Sequence, residues 1–213
     1  MNGVPAGRLR LALATSNPHK VREIEELLSD LPVEIVTPED LGIELRVEED
    51  GETYAENALK KSRALWKLTG VPSVADDSGL EVEALEGAPG ILSARFAGPE
   101  ANDQMNNEKL LRQMKPVPDD RRRARFVCVT ALVGLTEGNA EVTFRGEWEG
   151  TIRREAAGVS GFGYDPIFQP SGEDATVAEL GEAYKRLHSH RARAFGQLAG
   201  HLKDLAFEPD ALT

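Results

Sequence analysis

The most constraining stretch of this chain is an apolar run that ends directly in a helix start. Residues 9–14 (LRLALA) read as a buried strand and lead without a loop into Thr15-Ser16-Asn17-Pro18. Asn17 is suited to cap a helix, and Pro18 to open it, because proline's fixed φ fits the first helical position and its missing N–H costs nothing there. Val21, Ile24, Leu27 and Leu28 then recur at helical spacing. A strand feeding straight into a helix commits this part of the chain to an α/β arrangement.

The remaining pattern extends that reading. Residues 33–37 (VEIVT) predict a second strand. Thr53 and Glu56 form a capping box ahead of a helix to about Leu68, stopped by Gly70 and Pro72. Residues 73–76 (SVAD) predict a short strand whose end carries the paired carboxylates Asp76 and Asp77, with a glycine turn at Gly79 before a half-exposed strand at 80–85 (LEVEAL). A turn at Gly87–Gly90 and a helix over 102–115 follow. Residues 124–135 and 141–149 read as long strands joined as a hairpin through Glu137-Gly138-Asn139. A last helix is expected from Ser189 to about Leu205. No repeat, low-complexity tract or linker divides the chain. The expectation is one α/β domain over 1–213 on a mixed sheet, with residues 1–8 as a flexible N-terminal segment.

Charge narrows the function. Twenty-five Lys and Arg against 36 Asp and Glu leave a net −11. A field of that sign repels nucleic-acid phosphates and anionic membranes, so neither is expected as a partner. A phosphorylated substrate would then need a local cationic site and a metal ion. No stretch approaches the ~20 apolar residues needed to span a bilayer, and the N-terminal apolar run is too short for a secretion signal, so a cytoplasmic location is expected. Cys128, the single cysteine, excludes an internal disulfide and a multi-cysteine zinc site; it sits in an apolar strand as a buried, inert residue.

Five segments could carry chemistry, and each has a bland alternative. Thr15, Ser16, Asn17, Pro18, His19 and Lys20 put small polar side chains, free backbone amides and a lysine at the positive end of a helix, a recipe for holding phosphate; the alternative is a plain cap with a solvent lysine. Asp76 and Asp77, alternating along a strand and therefore suited to different tasks, could hold Mg²⁺ or orient water, or simply cap a turn. The acidic stretch Glu44–Glu52 is mostly a solvated face from which one carboxylate could complete an oxygen-ligand metal site with Asp77. Ser160-Gly161-Phe162-Gly163-Tyr164-Asp165-Pro166 places a ring between glycines, either to stack on a base or to turn the chain with Phe162 in the core. Lys185, with Ser189 as a cap ahead of His190 and Arg191, presents donors for a carbonyl or phosphate, or a basic surface. Arg121, Arg122, Arg123 and Arg125 read as a solvated hairpin edge or a dimer contact.

The order of the blocks TSNPHK, EEDGETYAENA, ADDSGL, GAPGILSARFAG, GFGYDPIF and KRLHSHR resembles the inosine triphosphate pyrophosphatase family over roughly Leu9 to Leu205. The resemblance implies a mixed, elongated central sheet flanked by helices, with two lobes and an active-site cleft between them, an Mg²⁺ requirement and a homodimer. It implies hydrolysis of ITP, dITP and XTP to the monophosphate and pyrophosphate. By position it assigns Thr15 to Lys20 to the triphosphate, Asp77 to catalysis and the metal, Ser78 to substrate, and Phe162, Gly163, Tyr164, Asp165, Lys185, His190 and Arg191 to the nucleoside. Glu48 best matches the second metal ligand, with Glu49 the near alternative. Ala183-Tyr184 stand ahead of Lys185 where many members carry acidic residues. A non-catalytic nucleotide-binding regulator on the same fold is the competing reading.

Overall fold

The computed structural model describes residues 8–136 and 140–207. The hairpin turn at Glu137-Gly138-Asn139 and residues 1–7 of the expected N-terminal segment lie outside the described residues. The α/β expectation holds: helices flank a six-stranded mixed sheet in the order β2-β1-β3-β4-β5-β6. Its strands are β1 (Leu9–Leu13), β2 (Val33–Val36), β3 (Ser73–Val82), β4 (Arg123–Val133), β5 (Glu141–Ile152) and β6 (Phe168–Pro170). β1 pairs in parallel with β2 and β3, and β6 lies antiparallel on β5.

The helices are α1 (Pro18–Leu27), α2 (Tyr54–Thr69), α3 (Asp103–Met114), α4 (Val177–Leu180), α5 (Glu182–His188) and α6 (His190–Phe207). Local chemistry explains their ends. Asn17 caps α1 with Pro18 in first position, and both halves of the Thr53–Glu56 capping box form at α2. Gly70, at φ 67°, closes α2 in the left-handed conformation that a glycine adopts at no steric cost. Ser189 separates α5 from α6 and takes the Ala192 N–H on its hydroxyl, as an N-cap does.

One expectation is corrected. Residues 73–76 and 80–85 are not separate strands: β3 runs unbroken from Ser73 to Val82, through Asp76-Asp77-Ser78-Gly79, with no turn there. The small Ser78 and the side-chain-free Gly79 leave room for the strand to continue, and only Glu83–Leu85 leave it, as a short 3-10 turn. β6, α4 and α5 are too short for a periodicity to announce them.

The described residues divide into two compact units, one of 8–77, 129–136, 140–145 and 194–207, the other of 78–128 and 146–193. The first has an aliphatic core of Leu11, Leu13, Ile24, Leu28, Val74, Leu132, Phe195 and Leu198, and a smaller cluster of Ala12, Ala14, Val36, Leu65 and Ala75. The second has an aromatic core in which Phe126, Trp148, Tyr164 and Phe168 pack with Leu80, Leu110, Met114 and Ile167.

Arg122 departs from the solvated edge expected of its cluster. It is 3% exposed and donates to four carbonyls: Nε to Ile152 at 2.7 Å, Nη1 to Met114 at 2.6 Å and Val117 at 3.2 Å, and Nη2 to Arg153 at 2.9 Å. The planar guanidinium supplies the donors that these chain ends lack. Arg122→Met keeps the volume and strands those carbonyls, so a destabilisation of about 3 kcal/mol, or roughly 6–12 °C in Tm at this length, is expected by thermal denaturation. An unchanged Tm would show that solvent reaches them.

Candidate active site

In the first unit, β1 and α1 deliver the Thr15–Lys20 turn and β3 delivers the aspartates. The two carboxylates do hold different partners, as alternation along a strand requires. Asp76, 1% exposed, takes the Lys20 ammonium on both oxygens, at 3.1 Å and 3.0 Å. Asp77, also buried, accepts from Asn57 Nδ2 at 3.2 Å and lies 3.6 Å from the Lys61 ammonium. Burial pushes the Asp77 carboxyl above the usual carboxylate range, with Glu49 adding to the rise while Lys61 and Lys20 oppose it. Burial works against the Lys61 charge, but Asp77, Asp76 and Glu49 together outweigh it and hold its pKa above the ordinary value.

Glu49 completes this group, accepting from Lys61 Nζ at 3.0 Å. Along residues 41–50 exposure alternates, which leaves Glu49 half-buried and Glu48 out in solvent. Among the described residues no group of three or more His, Cys, Asp or Glu gathers into a metal cluster.

Four amides of the Thr15–Lys20 turn, those of Thr15, Asn17, His19 and Lys20, are already engaged, where the sequence reading expects free donors; Thr15 N donates to the Leu13 carbonyl at 2.9 Å. Asn17 Oδ1 accepts from His19 N at 2.9 Å and from Lys20 N at 3.3 Å, and Thr15 Oγ1 accepts from Asn17 N at 3.2 Å. The same cap that starts the helix takes the His19 and Lys20 N–H groups, two of the donors a phosphate would use. At this end of α1 stand the Lys20 ammonium, held by Asp76, and the exposed Ser16, Pro18 and His19.

The second unit holds the other expected set. Lys185, on α5, is buried and donates to Asp165 Oδ2 at 2.6 Å, which also accepts the Phe162 N–H at 2.9 Å. The Lys185 ammonium lies 3.9 Å from the centroid of the half-buried Phe162 ring and the Arg191 guanidinium 5.9 Å from it. Arg191, in the first turn of α6, donates to Ser78 Oγ at 3.0 Å. His190 stacks on Phe126, with centroids 4.7 Å apart and planes 9° from parallel. Tyr164 belongs to the core, its hydroxyl donating to the Ser93 carbonyl at 2.8 Å, and burial pushes its pKa well up. A Cβ on Gly161, which sits at φ 79°, would lie 2.1 Å from Asp165 Oδ2, so that position has to be glycine for the aspartate to serve the loop.

Sequence reasoning passed over Lys61 and Asn57. The signal was present: they fall on the face of α2 with Tyr54, Ala58 and Leu65, where an apolar residue is the ordinary occupant.

Comparisons with known proteins identify the family. The dITP/XTP pyrophosphatase of Shigella flexneri is 49% identical over 195 residues, covering 92% of this chain and 98% of the relative. The protein of that name from Escherichia coli K12 is 48% identical over the same share. The structure of a HAM1 protein from Coxiella burnetii superposes with a TM-score of 0.83 at 40% identity, covering 92% of this chain and 99% of that one. The Staphylococcus aureus Ham1 protein gives 0.82 at 38% identity, covering 92% and 98%. With residues 11–201 also matching the family's sequence model, the chain belongs to the Ham1 family.

Proposed function

We propose that this chain hydrolyses ITP, dITP and XTP to the nucleoside monophosphate and pyrophosphate. The observation that carries the reading is the buried Asp77 carboxylate, flanked by the Asn57 amide and the Lys61 ammonium, next in sequence to the aspartate that grips Lys20. The name dITP/XTP pyrophosphatase borne by relatives that share nearly half their residues with this chain supports it.

The residues fit a hard divalent cation. Asp77 and Glu49 both approach the Lys61 ammonium, so two carboxylates already converge on positive charge. Mg²⁺ takes one or two carboxylates and completes its shell with phosphate oxygens and water, so a cluster of three protein ligands is not required. Asp77 and Glu49 would hold it; Glu48, exposed, is the weaker candidate for the second ligand. When bound, Mg²⁺ would offset the charge that develops along the triphosphate.

The protein's own groups account for the rest. Lys20, oriented by Asp76, would hold the outer phosphates, with the Thr15 and Ser16 hydroxyls beside it. Asp77, its proton affinity raised by burial, would take the proton of a water that attacks the α-phosphorus. The bond from that phosphorus to the bridging oxygen breaks, and pyrophosphate leaves. Phe162 would stack on the purine, while Lys185, His190 and Arg191 donate toward a 6-oxo group. Adenine presents an amine there and leaves such donors unpaired. Function in the cytoplasm as a homodimer is part of the same proposal, and light scattering reads the oligomeric state. Among the described residues no helix is long and apolar enough to cross a membrane.

Three outcomes are expected. Phosphorus NMR of ITP with protein and Mg²⁺ gives pyrophosphate; orthophosphate would mean a different cut, and unchanged ITP the regulator. Asp77→Asn lowers kcat by about 10³-fold or more while ITP affinity, read by calorimetry, shifts less than about threefold; matched losses would remove Asp77 from the chemistry. ATP is turned over with kcat/KM at least about a hundredfold below ITP, and comparable values would refute recognition through the 6-oxo group.

A further inference from the structure

We propose that Asp103 and Asn107 are a positioning pair that holds the Phe162 ring for the base. The inference rests on the purine-stacking role given to Phe162 above. The two residues stand one turn apart on α3, where i and i+4 side chains share a face. Asp103 Oδ2 accepts the Gly163 N–H at 2.7 Å, and Asn107 Nδ2 donates to the Gly163 carbonyl at 2.9 Å. One helix face thus takes both backbone polar groups of one residue. Gly163 lies at φ 64°, between the stacking ring and a core tyrosine.

The rest of the loop cannot do this alone. Asp165 holds the Phe162 amide, its own N–H reaches the Phe162 carbonyl at 3.3 Å, and Tyr164 is anchored through Ser93, but none of these contacts takes the N–H or the carbonyl of Gly163, the glycine at the centre of that turn. The α3 pair fixes them before substrate arrives. Ordering a glycine-flanked ring in advance removes a cost that binding would otherwise bear, so its effect belongs to nucleotide affinity rather than to bond breaking. Asn107 is 9% exposed, and its amide orientation is set by the carbonyl it serves. Asp103 also lies in the first turn of α3, where its charge favours the helix. The conservative variant Asp103→Asn loses that charge and keeps an acceptor, which separates the two roles.

The test compares Asp103→Ala, Asp103→Asn and Asn107→Leu in the full chain. Three readouts are taken: KM and kcat for ITP, the inhibition constant of inorganic tripolyphosphate, which has no base, and solvent exchange of the Gly163 amide by NMR. Asp103→Ala and Asn107→Leu are expected to raise KM for ITP about tenfold with kcat within twofold, to leave tripolyphosphate inhibition unchanged, and to speed Gly163 exchange at least tenfold. Asp103→Asn returns KM to within about threefold of the parent. The inference fails if tripolyphosphate inhibition weakens in parallel with KM, if Asp103→Asn behaves like Asp103→Ala, or if KM stays put while exchange rises. A parent protein that leaves ITP intact overturns the functional reading, and the stacking role with it; Gly163 exchange then still decides whether the α3 contacts hold the loop, and unchanged exchange in both variants removes them as well.

Discussion

A carboxylate kept from water survives as an anion only beside a counter-charge, and much of the first unit serves that condition. Asp77 depends on Lys61 and Asn57, and Lys61 in turn depends on Asp77, Asp76 and Glu49, because neither charge is stable in a buried setting without the other. The small cluster of Ala12, Ala14 and Ala75 around Leu65 lets α2 pack with little side-chain bulk in the way, and Asn57 and Lys61 come from that same helix. Packing and chemistry are therefore set by one helix face. Asp76 repeats the logic with Lys20, so a single strand supplies two adjacent anions that are each matched by a different helix.

The second unit solves a similar problem with an aromatic ring. The Lys185 ammonium is matched by Asp165 and lies over Phe162, which provides electron density on one side and a formal charge on the other. Asp165 has no spare role for solvent: it closes the loop through the Phe162 amide and neutralises the lysine with the same oxygen. A side chain that does two structural tasks leaves the ring and the cations as the groups able to meet a ligand.

Much of this was legible in the residues, for reasons that can be named. Asn17-Pro18, Thr53–Glu56, Gly70 and Ser189 are local signals whose partners lie within four residues, so sequence suffices to place them. Asp76-Asp77 stand out in the sequence, but Gly79 beside them suggests a turn where the strand in fact continues; whether a glycine turns or lies flat depends on the strands beside it. The His19 and Lys20 amides look open in the sequence, because an Asn-Pro cap signals a helix start and says less plainly that it also takes donors. That Glu49 meets Lys61 while Glu48 faces solvent follows from the alternating exposure of residues 41–50, which nothing in the acidic run discloses. Lys61 and Arg122 were missed or misread for a shared reason: charged residues are ordinarily solvated, and only tertiary partners reveal the exceptions.

Arg122 carries a kinetic consequence. Its four acceptors come from the end of α3, the turn after it and the end of β5, about thirty residues further along the chain. Loop closure has to be completed before any single guanidinium can collect all four, and the last of them arrives with no local reward in advance. That makes this side chain a latch that engages once the segments it joins have met, so its contribution falls on how slowly the second unit comes apart more than on how quickly it assembles.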